Sequence, residues 1–178
     1  MARRSRTKSG TFFLRKTTTT DGATFTTSSI DVSSFIDVLN GELIRVKQVW
    51  WEWQSDAGGP VLGADLGASK GCSAFASVST ESRTTVGSLG STDIMAMNYL
   101  YAHSDSNTDI DFIGSNDSIN PKDFDDGFLV ATDAIHVNTG NSADVFANDV
   151  RVTAMLECEI VKLSLSDAQA VLVSQTIG

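Results

Sequence analysis

The chain has 178 residues, 41% of them hydrophobic and 20% charged, with a formal charge of −9. One domain of this length buries enough surface to fold without disulfides or metals, and the composition is neither disordered nor fibrous. No apolar run approaches the ~20 residues of a membrane-spanning helix, and only Phe12-Phe13-Leu14 follows the basic start, too little for a signal peptide; membrane insertion and secretion by the usual route are not expected.

Charge is unevenly placed. Arg3, Arg4, Arg6, Lys8, Arg15 and Lys16 put +6 into the first sixteen residues, which hold no acid, so the remainder carries −9 − 6 = −15. Residues 1–10 read as a basic flexible arm, and residues 11–178 as one body. A basic arm on an acidic body points to contact with a polyanion or an acidic neighbour; the plainer alternative is a solvated tail.

Thr11 to Lys16 reads as an edge strand, Thr17 to Gly22 as an extended stretch closing in a turn, and Ala23 to Ile30 as a strand with one wet face. Phe35, Val38 and Leu39 stand at helical spacing before Asn40-Gly41, a natural stop, which gives one short helical turn. Glu42 to Trp53 is a strand whose apolar residues change sides. Ile44 and Val46 share one face, whereas Val49, Trp51 and Trp53 share the face of Arg45 and Lys47. Either a bulge near Lys47-Gln48 switches the register, or both faces are covered. Ser55 to Gly71 is a glycine-rich loop, long enough to be functional or contact-making.

Cys72 to Ser79 and Thr84 to Leu89 read as strands. Asp93 to His103 alternates as a strand does, in preference to a helix capped by Ser91-Thr92-Asp93. Asp109 to Ile113, Phe128 to Thr132 and Ala134 to Asn138 are short strands between Asp/Asn/Gly turns. Val150 to Leu163 alternates most cleanly: Val150, Val152, Ala154, Leu156, Cys158 and Ile160 face one way, Arg151, Thr153, Met155, Glu157 and Glu159 the other. Ser166-Asp167 then caps a short helix over Ala168 to Gln175, with Val171 and Leu172 inward. Eight or nine strands, two short helices and no fixed repeat predict an all-β fold: a two-sheet antiparallel sandwich of jelly-roll type.

Motifs that carry chemistry are sparse. Gly67-Ala68-Ser69-Lys70-Gly71 fits the G-x-S-x-G pattern, but a loop leading into a strand is the wrong setting for a nucleophile, and nothing positions His103 or His136 as its base. Catalysis is therefore not expected. Asp105, Asn107, Asp109 and Asp111 place oxygen side chains at alternate positions, a candidate structural divalent-cation site of the Ca²⁺ kind. Ile110 and Asn116 stand where an EF-hand needs Gly and Glu, and a solvated turn is the plainer reading. No other cofactor is implied. Trp51 and Trp53 share a strand face, where large rings close a core or an interface. The alternative is a carbohydrate-binding β-sandwich module that stacks sugars on them. Cys72 and Cys158 have no framework or metal spacing, and Cys158 falls on an apolar face as a buried thiol.

The arm Met1-Ala2-Arg3-Arg4-Ser5-Arg6-Thr7-Lys8 and the β-rich body from about Phe12 to Leu163 together resemble the single jelly-roll capsid proteins of small icosahedral viruses, archaeal ones included. The resemblance is architectural and carries no diagnostic motif. It implies a structural protein of the virion, assembled in the host cytoplasm, whose partners are further copies of itself, other capsid subunits and packaged nucleic acid held by the arm. At +6 the arm is modest, and an acidic neighbouring subunit would suit it equally well. Bodies would then meet through loops such as Ser55–Gly71 and Ser104–Asp126.

Overall fold

A computed structural model describes residues 6–22, 24–61, 63–66, 71–85, 87, 90–104, 112–141 and 146–176, with Arg6 described by its backbone. Among these residues the strands are β1 (Arg6–Thr7), β2 (Phe12–Thr19), β3 (Thr26–Asp31), β4 (Glu42–Ser55), β5 (Gly71–Ser79), β6 (Ile94–His103), β7 (Phe112–Ile119), β8 (Phe128–Val130), β9 (Ala134–Asn141) and β10 (Val150–Lys162). Two helices join them, α1 (Gly63–Leu66) and α2 (Leu165–Thr176).

One sheet runs β2-β10-β4-β8, with β1 continuing the β2 edge along β10; the other runs β3-β9-β5-β6-β7. Every pairing is antiparallel. With β1 and β7 set aside, the first of the remaining strands pairs with the last, the second with the seventh, the third with the sixth and the fourth with the fifth. This is one long hairpin wrapped over itself, the jelly-roll connection, and the expected two-sheet sandwich stands.

The core follows from the alternation of β10. Val150, Val152, Ala154, Leu156 and Cys158 are fully buried and turn toward the other sheet. There Ile44, Val46, Val49, Ala154, Leu156 and Cys158 meet Val78, Met95, Ala96, Ile135 and Val137 in one cluster. Both readings of the face change in β4 prove true. Gln48 pairs with Glu157 and Val46 with Cys158, which leaves Lys47 as the extra residue of a bulge. Beyond the bulge the sheet is covered on both sides: Ile44 joins the main core, while Leu43 and Val161 face outward under Ala168 and Val171 of α2. Gly41, at φ 74°, ends a 3-10 turn over Val38–Asn40 in the left-handed conformation that Asn40-Gly41 suggested.

Four expectations are corrected. Of the strand expected at Thr84 to Leu89, the described residues Thr84, Thr85 and Gly87 are not extended: the first two form a bend, and β5 and β7 already occupy both edges of β6. This segment is tied down instead by Arg83, which grips the buried Asp93 carboxylate with its Nη2 and with Nε at 2.7 Å. The strand expected at Asp109–Ile113 is found at Phe112–Ile119, with residues 109–111 outside those described; Gly114, Ser115 and Asn116 are poor strand formers, tolerated at a solvated edge. The Ser55–Gly71 segment is not a plain loop: it carries α1, and its described part also packs on its own body. Val61 and Leu66 join a second core cluster, and Asp65 accepts from Ser55 Oγ at 3.0 Å and Asn148 Nδ2 at 3.2 Å. Finally, the first strand begins at Arg6 rather than after residue 10. Lys8 N–H donates to the Ile160 carbonyl at 2.8 Å, and Ile160 N–H donates to Ser9 Oγ at 2.8 Å.

Candidate assembly surfaces

Among the basic residues near the N-terminus, the described side chains of Lys8, Arg15 and Lys16 do not share one patch. Arg3 and Arg4 lie outside the described residues, and so does the side chain of Arg6. Lys8 pairs with Glu42 of its own chain. Arg15 points out of the sheet and sets its Nε 3.2 Å from Met155 Sδ, while Lys16, the next residue of β2, turns to the opposite face. Basic side chains of the body are also internally matched. Arg45 meets Glu159 at 3.0 Å, Lys47 meets Glu157 at 3.1 Å and Arg151 meets Asp56 at 2.7 Å. The two exposed pairs, Lys47–Glu157 and Arg151–Asp56, are worth a few tenths of a kcal/mol each. Together the pairings leave Glu52, Asp117, Asp125 and Asp126 among the exposed acids.

Trp51 and Trp53 are half-buried and turned inward. Trp51 packs on the main core, and Trp53 packs on the second cluster with its Nε1 donating to Asn98 Oδ1 at 2.6 Å. Neither offers a flat exposed ring for sugar stacking, so the core reading of this pair is the one the geometry favours. The ring on the outer face is Trp50, whose centroid lies 6.1 Å from that of the exposed Phe13.

The margin where β4, β7 and β8 meet was not singled out in the sequence. β8 is three residues long and pairs with Ile44 to Val46 alone. Past it, β4 runs on with no described strand beside it on that side. At Val49 the gap is patched by a side chain: the fully buried Asn120 accepts from Val49 N–H at 3.2 Å and donates to the Val49 carbonyl at 2.7 Å. An amide carries one donor and one acceptor side by side, so it serves as a strand of one residue. Asn120 is fixed in turn by Asp117 Oδ2 at 3.3 Å, and its own backbone N–H donates to Asp123. Asp117 Oδ1 accepts from Asn98 at 2.9 Å, which completes a chain of hydrogen bonds from Trp53 through Asn98, Asp117 and Asn120 back to Val49 of the same strand. A groove of about 350 Å³ lies alongside, between Val49–Trp51 and Ser115–Asp117, with Asn98 and Lys122 in its walls.

The other wall of this margin is β7, an edge strand. Phe112 is 59% and Ile113 46% exposed, beside Tyr101 at 43%. The Phe112 ring lies over Gly114, the residue paired with Tyr101, and Tyr101 stacks on Tyr99. Asn120-Pro121 is a turn signal that could have drawn attention to Asn120; nothing in the polar run Gly114–Ser118 announces a strand.

Asp105, Asn107, Asp109 and Asp111 lie outside the described residues, as does Ser69. Among the described residues no cluster of three or more His, Cys, Asp or Glu is arranged to hold a metal, and no helix is long and apolar enough to cross a membrane. His103 and His136 stand on different strands, β6 and β9. Cys158 is fully buried; desolvation, reinforced by the Glu157 charge, pushes its thiol up to about 12, the behaviour of an inert core cysteine.

Strand order and pairing thus define an antiparallel jelly-roll sandwich. No family model matches the chain, and no curated protein matches it in sequence. Among solved structures it is similar to VP1 of the Trichodysplasia spinulosa-associated polyomavirus in complex with sialylated glycooligomers. Identity there is 9% and the TM-score 0.45, over 88% of this chain and 97% of that one. The same VP1 with GM1 oligosaccharide matches at 9% identity and a TM-score of 0.43, over the same shares of both chains. Desmodium yellow mottle tymovirus matches at 11% identity and a TM-score of 0.34, over 89% of this chain and 85% of that one. At such identities the likeness is one of architecture, as was the resemblance read from the sequence.

Proposed function

We propose that the chain is a structural viral coat subunit that associates with copies of itself into a shell and has no catalytic role. The observation that carries this reading is the margin formed by β7: an eight-residue edge strand with Phe112 exposed beside Tyr101 on one face and Ile113 exposed on the other. A protein that remains alone guards its edge strands with charge, proline or a covering loop, because open edges template pairing. Clustered exposed rings on a jelly-roll body are the chemistry of an interface. Exposed Phe13 beside Trp50, on the outer face of the other sheet, supplies a second such surface.

The chain beyond residue 16 carries −15, so copies of it repel one another. Association therefore needs screening by salt or cations, or neutralisation by the +6 of residues 1–16 facing a neighbour or the genome. Negative-stain microscopy with size-exclusion chromatography, across a range of salt and Ca²⁺, tests this directly. Large regular particles are expected, with yield rising as repulsion is screened. Deleting residues 2–8 should lower their yield or their nucleic-acid content. A monodisperse monomer under every condition would overturn the proposal.

A further inference from the structure

The unpaired side of β4 has the dimensions of a missing strand. Val49 directs both its N–H and its C=O away from β10, toward Asn120. Backbone groups alternate sides along a strand, so Trp51 and Trp53 direct theirs the same way, while Trp50, Glu52 and Gln54 bond to β10. At Ser55 the side is closed again, by an N–H donated to the Gly59 carbonyl at 3.1 Å. Between these two closures, no described residue is hydrogen-bonded to the backbone of Trp51 or Trp53. The opening is thus framed at both ends and spans about 20 Å, the length of a strand of about six residues.

We infer that this side of β4 receives the basic N-terminal segment of a second copy of the chain as an added strand, a contact that rests on the coat-subunit reading and specifies it. The chemistry of the walls selects a cationic occupant. Asp117 lines the inner side of the groove, and Glu52 stands exposed on the outer face of β4. An extended Arg3-Arg4-Ser5, ahead of the Arg6 that pairs within its own sheet, would send alternate side chains to the two sides and so could place one arginine against each acid. Lys122, two residues after Asn120 in the chain, stands in the groove wall as well. That makes the Trp51–Trp53 stretch the more acidic half.

Reach decides whose N-terminus it is. β1 pairs with Val161 and Lys162, which oppose Leu43 and Glu42 at the far end of β4. From there Trp51 is about 25 Å along the strand, and the opening is three strand spacings, about 14 Å, to the side, a separation of roughly 28 Å. Residues 1–5, fully extended, span at most about 18 Å. Arg3, Arg4 and Ser5, leaving β1, therefore cannot reach the opening of their own body, whereas those of a neighbour can.

The test uses single-cysteine substitutions in full-length chains, since Cys72 and Cys158 are both buried. Chains carrying Arg3→Cys, Arg4→Cys or Ser5→Cys are each mixed with chains carrying Glu52→Cys under mild oxidation. Mixed disulfides are followed on non-reducing gels. At least one arm position should join Glu52→Cys roughly a hundredfold faster than it joins Thr84→Cys, an exposed site in the bend after β5, the order by which a bound site raises effective concentration. High salt, or Asp117→Asn in the acceptor chain, should remove most of that excess. Equal rates at the two acceptor sites would overturn the inference. Microscopy of the unmodified chain separates the two claims. Particles without the excess sink the strand addition and leave the coat reading; the excess without particles does the reverse; neither sinks both.

Discussion

The sandwich has two margins, and they are built differently. Where β2 and β3 cross from one sheet to the other, side chains stitch the layers together. Thr18 Oγ donates to the Val137 carbonyl across the sheets at 3.2 Å, and Thr26 Oγ donates to the Thr19 carbonyl at 2.6 Å. Phe12 stacks on Phe35 over the gap, with ring centroids 5.3 Å apart. At the β4–β7–β8 margin the strand that should close the sheet is three residues long, an asparagine amide stands in for part of it, and apolar rings face outward. The contrast teaches that the core does not need the second margin to be closed. Its centre is the pairing of β10 with β4, the most extensive in the molecule. A margin left open beside such a core is free to be completed by another molecule.

The largest effect that would sharpen this contrast lies at that centre. Leu156→Ala, at a fully buried site in the main cluster, should cost about 2–5 kcal/mol in urea unfolding, the range for truncating a packed leucine. A comparable loss from Phe112→Ser, at a 59% exposed site, would break the contrast, because such a residue should matter to association and hardly to the stability of one body.

An intermediate effect is expected from Asn120→Ala. The substitution strands the N–H and C=O of Val49 in a buried setting, at about 1–3 kcal/mol for groups left unsatisfied. Urea midpoints of the variant and the parent chain measure it. A cost indistinguishable from zero would mean that water replaces the amide, and that the β4 opening extends past Val49.

Much of the closed half was legible in the sequence, for physical reasons that the open half lacks. β10 alternates without a break from Val150 to Cys158 because one face meets an oily interior and the other water. The face change around Lys47 was readable because β4 must stay buried on both sides of the bulge. β7 has no such contrast. Its burial pattern is exposed almost throughout, so Gly114, Ser115 and Asn116 leave no period to detect, and pairing to β6 alone makes it a strand. The inward orientation of Trp51 and Trp53 followed from alternation with Val49, but the role of Asn120 depends on a contact 71 residues away in sequence. The separation of the described N-terminal cations has a similar origin. Arg15 and Lys16 are adjacent in a list of charges and opposite on a strand.

The smallest effect concerns the closed margin and pH. His136 lies on β9 beside Ser29 of β3 and Ser79 of β5. Burial lowers its affinity for a proton, a shift only partly offset by the negative charge of Glu81, so its folded value sits below the ordinary 6.5. The unfolded chain therefore binds the proton first. Stability from this group is complete above about pH 6.5 and declines as acidity increases toward the folded value. His136→Gln should flatten the fall in Tm between pH 7 and 5 relative to the parent chain. An unchanged slope would mean that the closed margin admits water at His136 as freely as the open one does at Trp51, and would erase the distinction between them. Asp31 and Asp37 titrate in another window. Hydrogen bonds from Ser33 and Asn40 hold their carboxyls below 3.8, so what they contribute is lost only at still lower pH, and the slope between pH 7 and 5 is free of them.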